Sequence, residues 1–121
     1  MPKSVLIADD NSTIRQLVSH LLTNQAFNFQ IHEAVDGIDA IEKAVTLMPD
    51  LILLDLAMPK MNGLDAARQM RKLKIQTPIV LFTMHASQIS ASTATTFGVD
   101  AVILKSDVEA LNRQIERFVS A

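Results

Sequence analysis

The sequence predicts an α/β fold, an open parallel sheet of five strands with helices on both faces. Three observations lead there. Short continuous apolar runs recur at Val5-Leu6-Ile7-Ala8, Leu51-Ile52-Leu53-Leu54, Ile79-Val80-Leu81-Phe82 and Val102-Ile103-Leu104, and such runs read as strands buried on both faces. Segments with apolar residues at helical spacing separate them. This strand–helix alternation repeats five times, and right-handed crossovers then lay helices on both sides of the sheet.

The elements follow in order. After the first apolar run, Asn11 or Ser12 can cap a helix carrying Ile14, Leu17, Val18, Leu21 and Leu22, the stripe of one buried face. Phe29 to Ala34 alternates and includes Gln30, His32 and Glu33, as a half-exposed edge strand does. The second helix, 38–47, offers Ile41, Ala44, Val45 and Met48 inward before Pro49 stops it. The loop after Asp55 contains Met58, Pro59 and Gly63, with Gly63 free to adopt a backbone conformation other residues avoid. A third helix presents Leu64, Ala67, Met70 and Leu73, and Pro78 opens the fourth strand. Residues 88–97 form a weak helix of Ser, Thr and Ala, the most mobile of the set, with Gly98 as its left-handed C-cap. The last helix, 107–119, carries Val108, Leu111, Ile115 and Phe118.

Composition excludes several functions. The 121 residues fit one domain, 1–121, and 49% of them are hydrophobic, which argues against disorder. No apolar run approaches bilayer length, and a strand begins almost at the N-terminus, so no membrane span or signal peptide is expected. The absence of cysteine removes disulfides and thiolate chemistry and is compatible with the expected cytoplasmic location. A net charge of −2 and the lack of Trp and Tyr speak against direct nucleic-acid binding. The local cluster Arg68, Arg71, Lys72 and Lys74 reads as a solvated helix face. The methionines read mostly as core filler, with Met58, beside Asp55, the exception.

The chemistry lies where the apolar runs end. In a parallel sheet of this kind, ligands bind beyond the carboxyl ends of the strands. There the sequence supplies Asp9-Asp10, Asp55, Thr83 and Lys105. Neighbouring carboxylates repel each other, and a hard cation such as Mg2+ relieves that cost. Asp55 is the candidate nucleophile toward a phosphoryl group, whose oxygens Mg2+ and Lys105 would neutralise while the Thr83 hydroxyl donates a hydrogen bond. Each residue alone has a plainer reading: a helix cap for one of the acid pair, a solvated strand end for Asp55, an ordinary strand residue for Thr83 and a surface lysine for Lys105. Asp50 and Asp100 precede strands at the opposite edge and read as structural. His20, His32 and His85 lack ligand spacing, and only His85 is expected near the site.

Taken together, Asp9-Asp10, Asp55 with Met58-Pro59 and Gly63, Thr83 and Lys105 resemble the receiver domain of two-component response regulators, over nearly the whole chain. The resemblance implies a flavodoxin-like fold with strand order 2-1-3-4-5. It implies phosphorylation of Asp55 from a phosphohistidine on a histidine kinase or histidine phosphotransfer protein, self-catalysed rather than enzymatic. Asp10, Asp55 and the Ala57 carbonyl would bind Mg2+, with Asp9 acting mainly through water, and Thr83 and Lys105 would contact the phosphoryl group. Phosphorylation would shift the face made by the fourth helix, fifth strand and fifth helix toward a downstream protein or output domain, in a monomer or a phosphorylation-dependent dimer. Ile14 and the exposed side of the first helix are the expected kinase-docking surface, and the Val102 face the expected surface for the downstream partner. Ala57 and His85 are the positions expected to tune phosphoryl lifetime. Two positions depart from the family pattern. Val102 replaces a frequent aromatic residue, which moves the expected switch to backbone shifts of the fourth helix. Ser106 replaces a frequent proline, so a trans Lys105–Ser106 bond is expected.

Three other readings fit less well. An Asp-nucleophile phosphatase of the haloacid dehalogenase type wants a second acid where Ala57 stands. A nucleotide- or flavin-binding module wants a Gly-rich loop where Asp9-Asp10-Asn11-Ser12 stands. An inactive receiver used only for protein contact has no need of the intact acid set.

Overall fold

The computed structural model describes residues 3–23, 28–84 and 86–119. Its elements are β1 (Lys3–Ala8), α1 (Ser12–Thr23), β2 (Phe29–Ala34), α2 (Gly37–Leu47), β3 (Leu51–Leu54), α3 (Gly63–Lys72), β4 (Ile79–Thr83), α4 (Ala91–Phe97), β5 (Ala101–Leu104) and α5 (Val108–Val119), with a 3-10 turn at Ala86–Gln88. All strand pairs are parallel, and the sheet order is β2-β1-β3-β4-β5. The expected order 2-1-3-4-5 is therefore the observed one. β1 is bonded on both sides, with Val5 opposite Ile31 on β2 and Leu51 on β3.

Strand alternation divides the core in two. Leu6, Ala8, Ile52, Leu54 and Leu81 face α2, α3 and α4. Val5, Ile7, Leu51, Leu53, Val80 and Phe82 face α1 and α5. The central strands have no solvent-facing side, which is why they read as unbroken apolar runs. The outer strand β2 has one fully buried residue, Ala34, as its alternation predicts.

Several helix faces differ from the expected ones. On α2 the buried residues are Gly37, Ala40 and Ala44, whereas Val45 is 51% exposed and Met48 78% exposed. On α3 they are Gly63, Ala66, Ala67 and Met70, with Leu73 outside. Small side chains let these two helices lie close to the sheet and to each other, which turns the larger neighbours outward. Met48 is instead the left-handed C-cap of α2, its N–H bonding the Ala44 carbonyl. Leu17 on α1 and Val108 on α5 are likewise exposed, while Val18, Leu22, Leu111 and Ile115 are buried as expected. Among the methionines described, Met70 alone is fully buried, Met58 and Met61 lie partly buried against the core, and Met48 and Met84 are exposed, so they are not mostly core filler.

The caps agree better. Asn11 is the cap of α1, its side-chain oxygen accepting from the N–H groups of Thr13 at 2.9 Å and Ile14 at 3.2 Å. The helix expected over 88–97 begins at Ala91, capped by Ser90, and ends on Gly98 at φ 83°, as expected. Asp50 accepts from the Ser4 N–H at 2.7 Å, and Asp100 accepts from the Ile79 N–H at 2.8 Å. Both are structural, as their position at strand starts suggests. Arg71 departs from the solvated-face reading. Its guanidinium donates to the carbonyls of Gly98, Ile75 and Thr77 and pairs with Asp100 at 3.0 Å, fastening α3 to the loops before β4 and β5.

Candidate functional site

The site forms beyond the carboxyl ends of β1, β3, β4 and β5, where ladder bonds continue past the strands. Asp9 N–H donates to the Ala34 carbonyl at 3.1 Å, Asp55 N–H to Ala8 at 2.9 Å and Lys105 N–H to Thr83 at 2.9 Å. Asp9, Asp55 and Lys105 are thus each tied to a neighbouring strand by their own backbone, and the sheet carries their spacing.

Asp9, Asp10 and Asp55 bring carboxylate oxygens within 4.8 Å of one another, the one such metal-ligating group among the described residues. Asp9 and Asp55 are buried and Asp10 is exposed. Lys105 Nζ sits between the two buried acids, 2.6 Å from Asp9 Oδ2 and 3.2 Å from Asp55 Oδ1, with its side chain only 9% exposed. The closer contact is poorly aligned, so Asp9 Oδ2 has charge opposite it without a directed hydrogen bond. Asp9 Oδ1 accepts from the Asn11 N–H at 2.9 Å. Thr83, at the end of β4, is 1% exposed.

Burial pushes the Asp55 carboxyl above its ordinary range, and repulsion from Asp9 adds to the rise. The Lys105 ammonium and the Ala57 backbone N–H, which bonds the carboxylate, work in the opposite direction without cancelling it. At Asp55, therefore, Lys105 does not fully offset burial and the charge of Asp9. An all-oxygen donor set with an under-satisfied buried oxygen suits a hard divalent cation.

Two glycines hold the loop that carries Ala57. A Cβ on Gly63 would lie 2.1 Å from the Asp55 carbonyl oxygen, and one on Gly37 would lie 2.1 Å from the Met61 carbonyl oxygen. Gly63 is thus required for close approach, not for a left-handed backbone, since the one glycine with positive φ among the described residues is Gly98. Gly63 N–H closes the loop onto the Leu56 carbonyl at 2.9 Å. The loop's left-handed residue is Lys60, at φ 68°, and its ammonium stands 3.6 Å from the buried Asp36.

The acids and Lys105 thus converge as the strand ends suggest, with Thr83 closing the neighbouring strand. His85 lies outside the described residues; His20 and His32 stand apart from the acids, on α1 and β2. Val102 packs partly buried against the core beneath α4, and the Lys105–Ser106 bond is trans. Sequence reasoning missed Arg15. Its guanidinium folds back from α1 to donate to the Asp9 carbonyl at 2.8 Å and to Glu33 Oε1 at 2.8 Å. A single arginine one turn into a helix carries no periodic signal that would reveal such a fold-back.

Residues 5–116 match the family described as response regulator receiver domain. The chain belongs to that family. Among proteins similar to this receiver domain is the chemotaxis protein CheY of Thermotoga maritima, 32% identical over 118 residues, covering 93% of this chain and 98% of CheY. The response regulator protein VraR of Staphylococcus saprophyticus is 39% identical over 105 residues, covering 87% of this chain and 50% of VraR. The receiver domain spans half or less of the length of several curated relatives it matches. In shape it is similar to the response regulator protein TrrA of Thermotoga maritima, solved in complex with Mg(2+)-BeF, at a TM-score of 0.86 and 28% identity over 97% of this chain and 99% of that one. Receiver domains take a phosphoryl group on an aspartate with Mg2+, receive it from histidine kinases and act on output domains or partners. No helix of the described residues is long and apolar enough to cross a membrane.

Proposed function

We propose that residues 1–121 act as one phosphoacceptor unit in which Asp55 takes the phosphoryl group of a phosphohistidine. The observation that carries this reading is Lys105 Nζ in contact with both Asp9 and Asp55 inside a three-carboxylate pocket. An Asp55 carboxylate oxygen forms a bond to phosphorus as the phosphorus–nitrogen bond of the donor breaks, and the electron pair stays on the imidazole nitrogen, which then takes a proton. Asp10, Asp55 and the Ala57 carbonyl would hold Mg2+, with Asp9 acting through water. Bound there, Mg2+ supplies neutralisation of phosphoryl oxygens. Lys105 and Thr83 stabilise the remaining charge on the transferred group by an ion pair and a hydrogen bond. The residues of the chain catalyse both gain and loss of the phosphoryl group, so the unit is a switch and not an enzyme with turnover on a separate substrate. Ala57 carries no group able to act as the general acid of an Asp-nucleophile phosphatase.

The phosphodonor is a histidine kinase or histidine phosphotransfer protein, with Ile14 on α1 in its path. The output is the face of α4, β5 and α5, read by a downstream protein or an attached domain in the cytoplasm, as a monomer or a phosphorylation-dependent dimer, with neither membrane nor nucleic acid bound directly. With valine at 102, that face responds through the backbone of α4 and not through an aromatic rotamer.

Intact mass after incubation with acetyl phosphate and Mg2+ tests the reading. A single phosphoryl adduct is expected, absent from Asp55→Asn and from a chelated sample. If neither that adduct nor binding of beryllofluoride with Mg2+ is found, the reading falls and a receiver used only for protein contact takes its place.

A further inference from the structure

Among the described residues, Asp10 is the one acid of the cluster that no other side chain holds. It is exposed, and among the described residues its carboxylate has no hydrogen-bond or ion-pair partner. Asp9 is gripped by Lys105 and Asn11, and Asp55 by Lys105 and Ala57. The direction in which Asp10 points is therefore set by its backbone, and above all by the peptide that joins it to Asp9.

That peptide has a dedicated partner. Arg15 Nη1 donates to the Asp9 carbonyl at 2.8 Å, while its Nε donates to Glu33 Oε1 on β2, also at 2.8 Å. The arginine side chain is 15% exposed, which partly shields the bond to the Asp9 carbonyl, whereas Glu33, 48% exposed, keeps the anchoring bond at the surface. A charged donor makes a shorter and stronger bond to a carbonyl than a neutral one. The planar fork fixes two directions at once, which an ammonium on a flexible stem does not. The Glu33 backbone in turn is held, its carbonyl accepting from Lys43 on α2. A chain of contacts thus runs from α2 through the edge strand to the Asp9–Asp10 peptide.

We propose that Arg15 is a positioning residue of the phosphorylation site, orienting Asp10 for a divalent cation through the Asp9 carbonyl, with Glu33 as its anchor. The inference rests on the function proposed above. It is separable from a mere charge effect because the two have opposite signs. Removing a positive charge near three carboxylates strengthens their attraction for a cation. Loss of orientation weakens it, and outer-shell partners of metal ligands are worth about 10–100-fold in affinity.

The experiment is calorimetric titration of Mg2+ into the full chain, its Arg15→Met, Arg15→Lys, Glu33→Gln and Glu33→Ala variants, with a metal-free melt and amide exchange on each. We expect Arg15→Met to stay folded and bind Mg2+ about tenfold or more weakly, with faster metal-free exchange at the Asn11 N–H, which Asp9 Oδ1 holds. Arg15→Lys recovers part of the affinity, and Glu33→Gln, which keeps an acceptor for Nε, stays near the original value. Folded Arg15→Met that binds Mg2+ as tightly as the parent, or more tightly, overturns the inference. Should Arg15→Met not fold, the glutamate pair decides: Glu33→Ala weaker than Glu33→Gln supports it, and equal affinities overturn it. A parent chain that binds no Mg2+ instead removes the function on which the inference stands.

Discussion

Asp55 occupies a position that is costly to keep charged. Its carboxyl holds a proton more tightly in the folded chain than in an unfolded one, because burial and Asp9 outweigh Lys105 and the Ala57 N–H. For an acid raised in this way, the folded state gains stability as pH falls through the raised value and loses it again as the group ionises. At neutral pH without metal, Asp55→Asn should therefore raise the Tm by a few degrees. The gain should shrink as pH is lowered through the carboxylate range, where the parent carboxyl also becomes neutral. Paired thermal melts of parent and variant along that pH series check both the sign and the trend. Residues of this kind were legible in the sequence, because an acid or a lysine directly after four apolar residues has only one sheet edge to occupy. Arg15 was not, because its role depends on a side chain folding back over a helix start, which leaves no trace in spacing.

At the scale of elements, existence and order were readable and helix orientation only partly so. Val45, Met48 and Leu73 satisfy the spacing of an inner face yet lie outside, lining a cleft of about 520 Å3 where α2 and α3 end. Periodicity weights large apolar residues, whereas the close approach of α2 and α3 selects Gly37, Ala40, Ala44, Ala66 and Ala67. Close approach also explains Gly63, where the sequence suggested backbone freedom. The carbonyl of Asp55 occupies the space a methyl group would need. Gly63→Ala should push α3 away from β3, costing about 1–3 kcal/mol as overpacking does. It should also slow phosphorylation by acetyl phosphate, since the displaced loop carries Ala57. Urea denaturation measures the first effect, and the rate of the mass shift measures the second. The contrast with Gly98 is instructive, since that residue does need a positive φ and was recognised for it.

For the molecule as a whole, the site is a property of the assembled sheet. Asp9, Asp55 and Lys105 come from distant parts of the chain and meet only when β1, β3, β4 and β5 stand in register. A cation bound by the cluster therefore binds the folded state alone. Mg2+ at a hundred times its Kd should add about 2.7 kcal/mol to global stability, and a chelator should remove that increment, as urea curves at matched ionic strength will reveal. Strand order was readable only through family resemblance, because alternation alone fits several arrangements of five parallel strands. The order in which the parts are made has a consequence of its own. On a ribosome, Asp9, Asp10 and Asp55 all leave the exit tunnel well before Lys105, which arrives with the last strand. Until then a partly collapsed chain would bring Asp9 and Asp55 together without their lysine, and a bound cation would have to offset their repulsion in its place.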